Sequence, residues 1–241
     1  MNEQPAVPNG NLLPAQNRLI DRIARADRRS LLSVCEPIEL VLGNIVCEPH
    51  TPTRHVVFPI DGFISLIAVV PGSPGIEVGM VGREGMLGSQ LALGVATTPL
   101  QAVVQGAGSA VRIGAAAFRR ELARSPSLQR TLDSYIAVLI AQLATSAVCL
   151  RYHEIGPRLA RWLLMSNDRA HADSFRMTHE FLAYMLGVRR VGITAAAGAL
   201  QRRGLIEYRR GLMTVLDRHG LESAACACYA ADAQVYARQM G

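Results

Sequence analysis

The segment 176–216, RMTHEFLAYMLGVRRVGITAAAGALQRRGLIEYRRGLMTVL, decides the fold of the carboxy-terminal third of the chain. Thr178 is a residue type that caps helices through its side-chain oxygen, and Glu180 follows in a first turn, where the helix dipole favours negative charge. Apolar residues then recur at spacings of three and four, and Gly187 provides the permissive backbone of a tight turn. The pattern predicts a short helix that begins near His179 and ends at Gly187.

A second helix is predicted after this turn, and its apolar positions can face inward together. Arg189, Arg190 and Thr194 cluster at its amino end. In helix-turn-helix proteins this end enters the major groove of DNA, and the planar arginine fork can hold guanine O6 and N7 together. We therefore interpret these three residues as candidates for base contacts.

Two short strand-like runs, 205–208 and 212–216, follow the second helix and enclose Arg209 and Arg210. This spacing predicts a hairpin with two cations at its tip, placed as a wing that contacts DNA phosphate. The predicted DNA-binding set is completed by Thr178, Arg176 and Arg202.

The positive charge of the chain is concentrated in this segment. Residues 176–216 hold seven arginines and two glutamates, whereas the remaining residues hold 18 arginines and 17 acidic residues. Such localisation is typical of an electrostatic footprint on nucleic acid. A solvated basic face without a nucleic-acid partner is the alternative explanation of the same charges.

Length and composition are those of a globular chain of one or two domains, since half of the 241 residues are apolar. The amino terminus lacks the basic start and apolar core of a signal peptide, and the longest apolar-rich segment, 136–150, is short and contains Gln142 and Thr145. We expect a cytoplasmic protein that does not cross a membrane.

The cysteines are odd in number and irregular in spacing, which predicts neither a disulfide framework nor a metal site. They are expected to be reduced, buried or bystander thiols, and no cofactor is predicted. The five positions are Cys35, Cys47, Cys149, Cys226 and Cys228.

The amino-terminal half changes in residue composition along its length. A Pro- and Asn-rich tail, to about residue 14, precedes one amphipathic helix between Leu19 and Leu32. From residue 36 to residue 113, seven short runs rich in Val, Ile and Leu are interrupted by Gly and Pro. Many short strands at near-regular spacing indicate an antiparallel jelly roll or barrel.

A long helix is predicted over residues 127–152, where apolar residues recur at spacings of three and four. One apolar stripe would face the barrel and a second would meet a twin subunit, with burial inside one subunit as the alternative. The residues assigned to this dimer seam are Leu132, Tyr135, Leu139, Leu143 and Leu150. A further helix begins near Pro157 and leads to the basic segment through a polar connection at 167–174.

The order of barrel, long helix and winged helix-turn-helix resembles the Crp/Fnr family of bacterial transcription regulators. The most specific stretches are FPIDGFIS at 58–65, GREGMLG at 82–88, RLARWL at 158–163 and the block 178–206. The resemblance implies an α+β chain with four parts: a tail and helix (1–35), a cyclic-nucleotide-binding-like barrel (36–126), a dimerisation helix (127–153) and a winged helix-turn-helix domain (154–241). It implies a homodimer, without enzymatic activity, that binds a two-fold symmetric operator in double-stranded DNA and recruits or blocks RNA polymerase.

The resemblance also implies an effector pocket in the barrel, whose candidates here are Gly82, Glu84, Gly85, Leu87 and Val103. In members that bind cyclic nucleotide, an arginine pairs with the cyclic phosphate, but residues 99–104 read PLQAVV and contain no arginine. A buried phosphate would then lack its charge partner, so cyclic AMP is not the expected effector. The recognition helix departs as well, because Val191 follows Arg190, and a different operator preference is expected.

Two other classes of protein stay open. A barrel enzyme of the cupin type would need metal ligands that converge from neighbouring strands, and the barrel offers only His50 and His55, without a His-x-His pair. A protein-interaction module would use the basic head to bind an acidic partner. A bound metal without DNA binding would favour the enzyme, and a steep salt dependence would favour DNA over an acidic protein.

Overall fold

The computed structural model describes residues 17–170 and 173–241, so the predicted tail lies outside the described residues. The described chain begins with two short helices, α1 (Arg18–Asp21) and α2 (Arg25–Ser33), where the sequence pattern predicted one. The break lies at Ala24, whose backbone is extended. Asn17 caps α1, and its amide also donates to the backbone oxygens of Pro59 and Gly85, which fixes this helix pair on the barrel.

Seven strands form the predicted antiparallel barrel as two facing sheets. Their neighbours follow the orders β1-β7-β3 and β2-β6-β4-β5, with every pairing antiparallel. A 3-10 helix at Ser89–Leu93 lies between β5 and β6. The strands are β1 (Glu36–Leu40), β2 (Ile45–Cys47), β3 (His55–Pro59), β4 (Phe63–Ala68), β5 (Ile76–Val81), β6 (Leu100–Gly106) and β7 (Gly108–Gly114).

Strand β3 contributes side chains to two separate apolar cores. Successive side chains of a strand point to opposite faces. Val57 therefore points into the barrel with Ile64 and Val104, whereas Val56 and Phe58 point outward into a second apolar cluster formed with the helices. The barrel is thus covered by helices on one side.

Two helices follow the barrel, α3 (Ala115–Arg124) and α4 (Pro126–Tyr152). Ser125 caps α4 by accepting the N–H of Leu128 at 2.9 Å, and proline occupies the first turn, where its missing N–H costs nothing. By length and composition alone α4 could cross a membrane, with a mean hydropathy of 1.5 over its most apolar window. Here it packs against β5, α2 and α3 instead, and only part of its surface is covered.

The carboxy-terminal head contains helix α5, a three-stranded sheet and four further helices. The predicted polar connection at 167–174 is wrong in its first part, because α5 continues to Ala170. Helices α3, α8 and α9 and strand β8 have no counterpart in the sequence prediction. The elements are α5 (Ile155–Ala170), β8 (Ser174–Arg176), α6 (His179–Leu186), α7 (Arg190–Arg202), β9 (Ile206–Arg209), β10 (Leu212–Val215), α8 (Arg218–Ala224) and α9 (Cys228–Met240).

The barrel and the head share one apolar core. Phe63, Ile67 and Met80 from the barrel belong to the same cluster of buried side chains as Trp162 and Leu186 from the head. Helix α9 returns along α4 and places Met240 in the cluster beneath the barrel. The head is therefore packed on the barrel through buried side chains as well as connected to it by the chain.

A carboxyl group is enclosed at this junction. Trp162 Nε1 donates to Glu77 Oε1 at 2.8 Å, and the Ser65 hydroxyl donates to the other carboxylate oxygen. Burial raises the pKa of Glu77 to about 7, although these two hydrogen bonds and the charges of Arg169 and Arg161 act in the opposite direction. An ionised Glu77 is therefore costly at the boundary between barrel and head.

Replacing Glu77 with glutamine is expected to remove a pH dependence of stability. Because the folded-state pKa lies above the ordinary value of 4.5, the contribution of this group is fully present below about pH 4.5 and is lost as the pH rises through about 7. The amide stays neutral, so the variant should gain up to about 3 kcal/mol in free energy of unfolding at about pH 8, and much less at about pH 5.

Urea unfolding at the two pH values measures this difference, and the fluorescence of Trp162, the only tryptophan, reports the transition. Glu39→Gln is the matched control, because Glu39 is a glutamate on β1 at the barrel surface, away from this junction. Equal stability of Glu77→Gln and wild type at both pH values would contradict the assignment of a raised pKa to Glu77.

Candidate nucleic-acid interface

Helix α6 begins and ends as its sequence predicts. The Thr178 hydroxyl oxygen accepts the N–H of Phe181 at 3.1 Å, which caps the helix. Gly187 ends it with a φ of +62°, a conformation that glycine adopts without steric cost. A side chain at position 187 would also collide with Ile76 of β5. The turn between α6 and α7 therefore requires glycine for its backbone conformation.

Helix α7 is clearly divided into a buried and an exposed face. Ile193, Ala197 and Leu200 pack into the shared core. The opposite face is open to solvent along the length of the helix. Its exposed residues at the amino end are Arg190, Val191, Thr194 and Ala195, and Arg202 is exposed at the carboxyl end.

The arginine pair lies at the start of α7. Arg189 is the N-cap residue but makes no side-chain cap, and Arg190 is the first helical residue. Both are exposed. Uncapped N–H groups at a helix start attract anions, and the two guanidinium groups add positive charge at the same place. This end of α7 therefore combines two guanidinium groups with the positive end of the helix dipole.

Thr194 is held by hydrogen bonds within the head. Its hydroxyl donates to the Arg190 carbonyl oxygen at 3.1 Å and lies 3.0 Å from Nδ1 of His179, which can donate to it. The His179 ring stacks on Tyr208, with centroids 4.2 Å apart. Desolvation, followed by the charge of Arg190, lowers the pKa of His179 and favours the neutral ring. Thr194 thus has a positioning role that the sequence did not reveal.

His179 and Tyr208 also tie the wing to both helices. Gln201 of α7 accepts the backbone N–H of Tyr208 at 3.1 Å, so the first strand of the wing is anchored to the exposed helix. None of these three residues was predicted. Their types are common on any surface, and only the folded hairpin brings them together.

The wing aligns two of its arginines. In the sheet β8-β10-β9, Leu212 of the central strand is paired with Arg176 on one side and with Arg209 on the other. Residues directly opposite each other point to the same face, so the two guanidinium groups flank Leu212. Arg210 and Gly211 form the hairpin tip with φ values of +51° and +80°, as a two-residue turn with both central residues left-handed requires.

The residues predicted for the effector pocket occupy different surroundings. Leu87 lines an apolar cavity of about 190 Å³ between the barrel and α4, called the barrel cavity below, together with Leu66 and Val81 of the barrel and Leu139 and Leu143 of α4. Glu84 instead forms an ion pair at 2.7 Å with Arg169 of α5, in which Arg169 is buried and Glu84 is partly buried.

The other members of that predicted set also lie outside the cavity lining. The Gly82 N–H donates to the Glu84 carboxylate at 3.2 Å. Gly85 packs against the Tyr135 ring so closely that a side chain would not fit. Val103 packs against the core shared with the head. The structure thus brings only Leu87 of the predicted set to the barrel cavity.

The residues predicted for the dimer seam are also separated. Leu132 and Tyr135 are 0% and 2% exposed, because they pack between the barrel and the helices of their own chain. Leu139 and Leu150 are half-buried, and Leu143 is 39% exposed. The assignment of Leu132 and Tyr135 to the dimer seam is therefore wrong. Both are core residues, because the apolar stripe to which they belong faces the barrel.

Two barrel histidines and the five cysteines are the side chains considered above as metal ligands, and the structure places these two groups differently. His50 and His55 are both exposed, and neither belongs to a group of three or more metal-binding side chains within 17–170 and 173–241. Three of the cysteines that were expected to be scattered are close together. Cys149, Cys226 and Cys228 form a buried group with His153 at the base of the head.

Comparison with known proteins agrees with this architecture. Residues 157–224 match the Crp-like helix-turn-helix domain. No curated protein matches the sequence.

Three solved structures illustrate the likeness. FixK2 from Bradyrhizobium japonicum has a TM-score of 0.68 and 14% identity, with 80% of this chain and 98% of that chain covered. The c-di-GMP responsive global regulator CLP from Xanthomonas campestris has a TM-score of 0.64 and 16% identity, with 80% and 99% covered. A transcriptional regulator of the CRP/FNR family from Thermus thermophilus has a TM-score of 0.56 and 22% identity, with 79% and 98% covered.

These likenesses confirm the resemblance seen in the sequence: residues 157–224 are a Crp-like helix-turn-helix domain, and the chain has the fold of the Crp/Fnr family transcriptional regulators.

Proposed function

We propose that this protein is a homodimeric transcription regulator that binds a two-fold symmetric operator in double-stranded DNA. The observation that carries the proposal is the exposed face of α7, which begins with Arg189 and Arg190 and is unobstructed by the rest of the described chain. An α-helix presented in this way fits the major groove, and its amino end contacts base edges.

Within this proposal, the residues of α7 divide into direct and indirect roles. Arg190 holds guanine through its paired donors. Val191 is 74% exposed, an unusual position for a large apolar side chain, and the methyl group of thymine is its natural contact. Thr194 acts mainly by holding Arg190 and His179 in place, as its two hydrogen bonds indicate. This arrangement predicts a half-site in which a guanine lies next to a base-pair step that contains thymine.

Phosphate contacts are assigned to the surrounding cations. Arg176 and Arg209 flank Leu212 on one face of the wing, and Arg210 occupies its tip. Thr178 and Arg202 are exposed at the edges of α6 and α7. Contacts to phosphate fix the position of the head on the duplex but carry no direct sequence information. The wing and these edges thus set affinity and salt dependence, and α7 sets specificity.

The dimer is assigned to the exposed stripe of α4. Ala137, Ile140, Ala144 and Ala147 are exposed at alternating spacings of three and four residues, the pattern of a helix that packs along a twin. Ile140 is 62% exposed. A second copy fits better than lipid, because the opposite side of α4 packs against its own barrel and α9 along much of its length.

The sensor role is assigned to the barrel cavity. Its lining is mostly aliphatic, and no arginine or lysine is among the lining residues of the described chain. A ligand for this cavity would be small and largely apolar, and a cyclic phosphate would lack its counter-charge there. The protein would act in the cytoplasm on RNA polymerase at its promoters, without catalysis of its own.

Selection of bound sequences from a random duplex library tests the proposal. The purified protein should enrich an inverted repeat whose half-sites lie about 34 to 36 Å apart, one turn of DNA, because two identical heads are related by a two-fold axis. Enrichment of a single asymmetric site, or of no sequence, would contradict the proposed homodimeric regulator.

Replacing Arg190 with alanine should weaken binding to the selected operator about 5- to 150-fold per half-site, because a bidentate contact with guanine provides about 1 to 3 kcal/mol of discrimination. Binding to random DNA should change far less, since phosphate contacts are retained. Fluorescence anisotropy at fixed salt measures both affinities. Arg119→Ala is the control, because Arg119 is an exposed arginine on the barrel side. Equal losses on operator and random DNA would remove Arg190 from the base contacts.

Replacing Ile140 with glutamate should separate the subunits, because two carboxylates would face each other in the apolar seam. Sedimentation velocity should then show monomers, and operator affinity should fall because each head binds alone. Val70→Glu is the matched control, since Val70 is a similarly exposed apolar residue, at 61%, away from α4. A dimer that survives Ile140→Glu would place the seam elsewhere.

A further inference from the structure

Four potential metal ligands meet where the long helix ends and the head begins. Cys149 lies in the last turn of α4 and His153 is its C-cap residue, so the two are one helical turn apart. Cys226 precedes α9 and Cys228 is its first residue. Within the described chain, their Sγ and Nδ1 or Nε2 atoms all lie within 4.8 Å of one another. The fold thus brings residues that are far apart in the sequence to one point.

Two of the distances between these ligand atoms match the edges of a tetrahedron around one ion, and the remaining ones lie within 4.8 Å. With zinc–sulfur bonds of about 2.3 Å and zinc–nitrogen bonds of about 2.0 Å, tetrahedral geometry separates two sulfurs by about 3.8 Å and a sulfur from a nitrogen by about 3.5 Å. Cys149 Sγ lies 3.6 Å from Cys226 Sγ, and Cys228 Sγ lies 3.5 Å from His153 Nδ1. An iron–sulfur cluster places several atoms between its cysteines and needs wider spacing.

The surroundings suit deprotonated thiols. The three cysteines are 3%, 7% and 5% exposed, so the ligand atoms are shielded from bulk solvent. The Cys228 backbone N–H donates to the Cys226 sulfur, and the Arg161 guanidinium lies near Cys149. Amino ends of helices and guanidinium groups both favour thiolate over thiol.

We propose a closed tetrahedral site for one Zn²⁺ ion, with the ligands Cys149, His153, Cys226 and Cys228. Three cysteines and one histidine are a common ligand set of structural zinc sites, and soft thiolates select zinc over magnesium or calcium. Each cysteine gives up its remaining thiol proton to the buffer as its zinc–sulfur bond forms, and no oxidation state changes. Three thiolates and Zn²⁺ leave one negative charge, and the guanidinium groups of Arg158 and Arg161 lie near the thiols to offset it.

The site joins two elements that are far apart in the sequence. It would fasten the end of α4 to the start of α9, next to the turn at His153 where the chain enters the head. The Arg161–Asp232 ion pair, at 2.6 Å, lies beside it and links α5 to α9. Zinc would therefore fix the orientation of the head relative to the dimer helix, and metal binding would add directly to folding stability.

A zinc titration in competition with a chromophoric chelator tests the site. It uses the untagged full-length protein, reduced and under anaerobic conditions. One equivalent per chain should bind, and Cys226→Ser and Cys228→Ser should each weaken binding by more than about 100-fold, since even a change outside the ligand shell costs 10- to 100-fold. The double variant Cys35→Ser/Cys47→Ser is the matched control and should bind as wild type does. These two thiols lie in the amino-terminal part, away from the cluster.

Cobalt provides a second measurement that does not depend on affinity. Co²⁺ bound to the wild-type protein should show thiolate-to-cobalt charge-transfer absorption and the intense visible bands of tetrahedral coordination, and His153→Gln should shift these bands without abolishing the charge transfer. Circular dichroism of each variant establishes that it is folded. Failure of the reduced wild-type protein to bind zinc, an octahedral cobalt spectrum, or equal zinc loss in the Cys35/Cys47 control would each overturn the proposal.

Discussion

The packing of Trp162 and its neighbours on the barrel is the constraint on which the rest of the structure depends. Trp162, Leu163 and Leu186 of the head are buried in one cluster with Phe63 and Met80 of the barrel. Such a cluster cannot be opened without exposing large apolar side chains on both parts, which costs roughly 25 cal/mol for each Å² of apolar surface returned to water. The orientation of α7 is consequently set by the barrel as much as by the head.

Polar groups at the same junction make its geometry specific. Glu77 accepts from Trp162 Nε1, and Glu84 pairs with Arg169 at 2.7 Å. The backbone oxygen of Glu84 also accepts the Tyr236 hydroxyl at 3.1 Å, so α9 is held to the same turn. Apolar contacts alone would permit the head to slide, but these groups have partners in one arrangement only. Removing one partner of a buried ion pair costs about 3 to 5 kcal/mol.

Local patterns in the sequence were sufficient for most of the elements and for the family, but not for long-range contacts. The seven strands, the long helix, the Thr178 cap and the Gly187 turn each depend on residues within a few positions of one another. Periodicity could not say which apolar stripe of α4 faces the barrel, so Leu132 and Tyr135 were assigned to a partner although they are core residues. The cysteine group shows the same limit: Cys149 with His153 and Cys226 with Cys228 are two local pairs, but Cys149 and Cys226 are 77 residues apart, and only the fold brings the two pairs together.

The contacts of the turn at 82–88 suggest how the barrel can act on DNA. This turn provides Leu87 to the barrel cavity and Glu84 to the ion pair with Arg169 on α5. Helix α5 in turn packs against α7 over much of its length. In the proposed regulator, a ligand that displaces Leu87 would act on the turn that also holds Glu84 and, through Arg169, on α5. Allosteric coupling is typically about 1 to 3 kcal/mol, so weakening of this one ion pair has the magnitude that such a coupling would need.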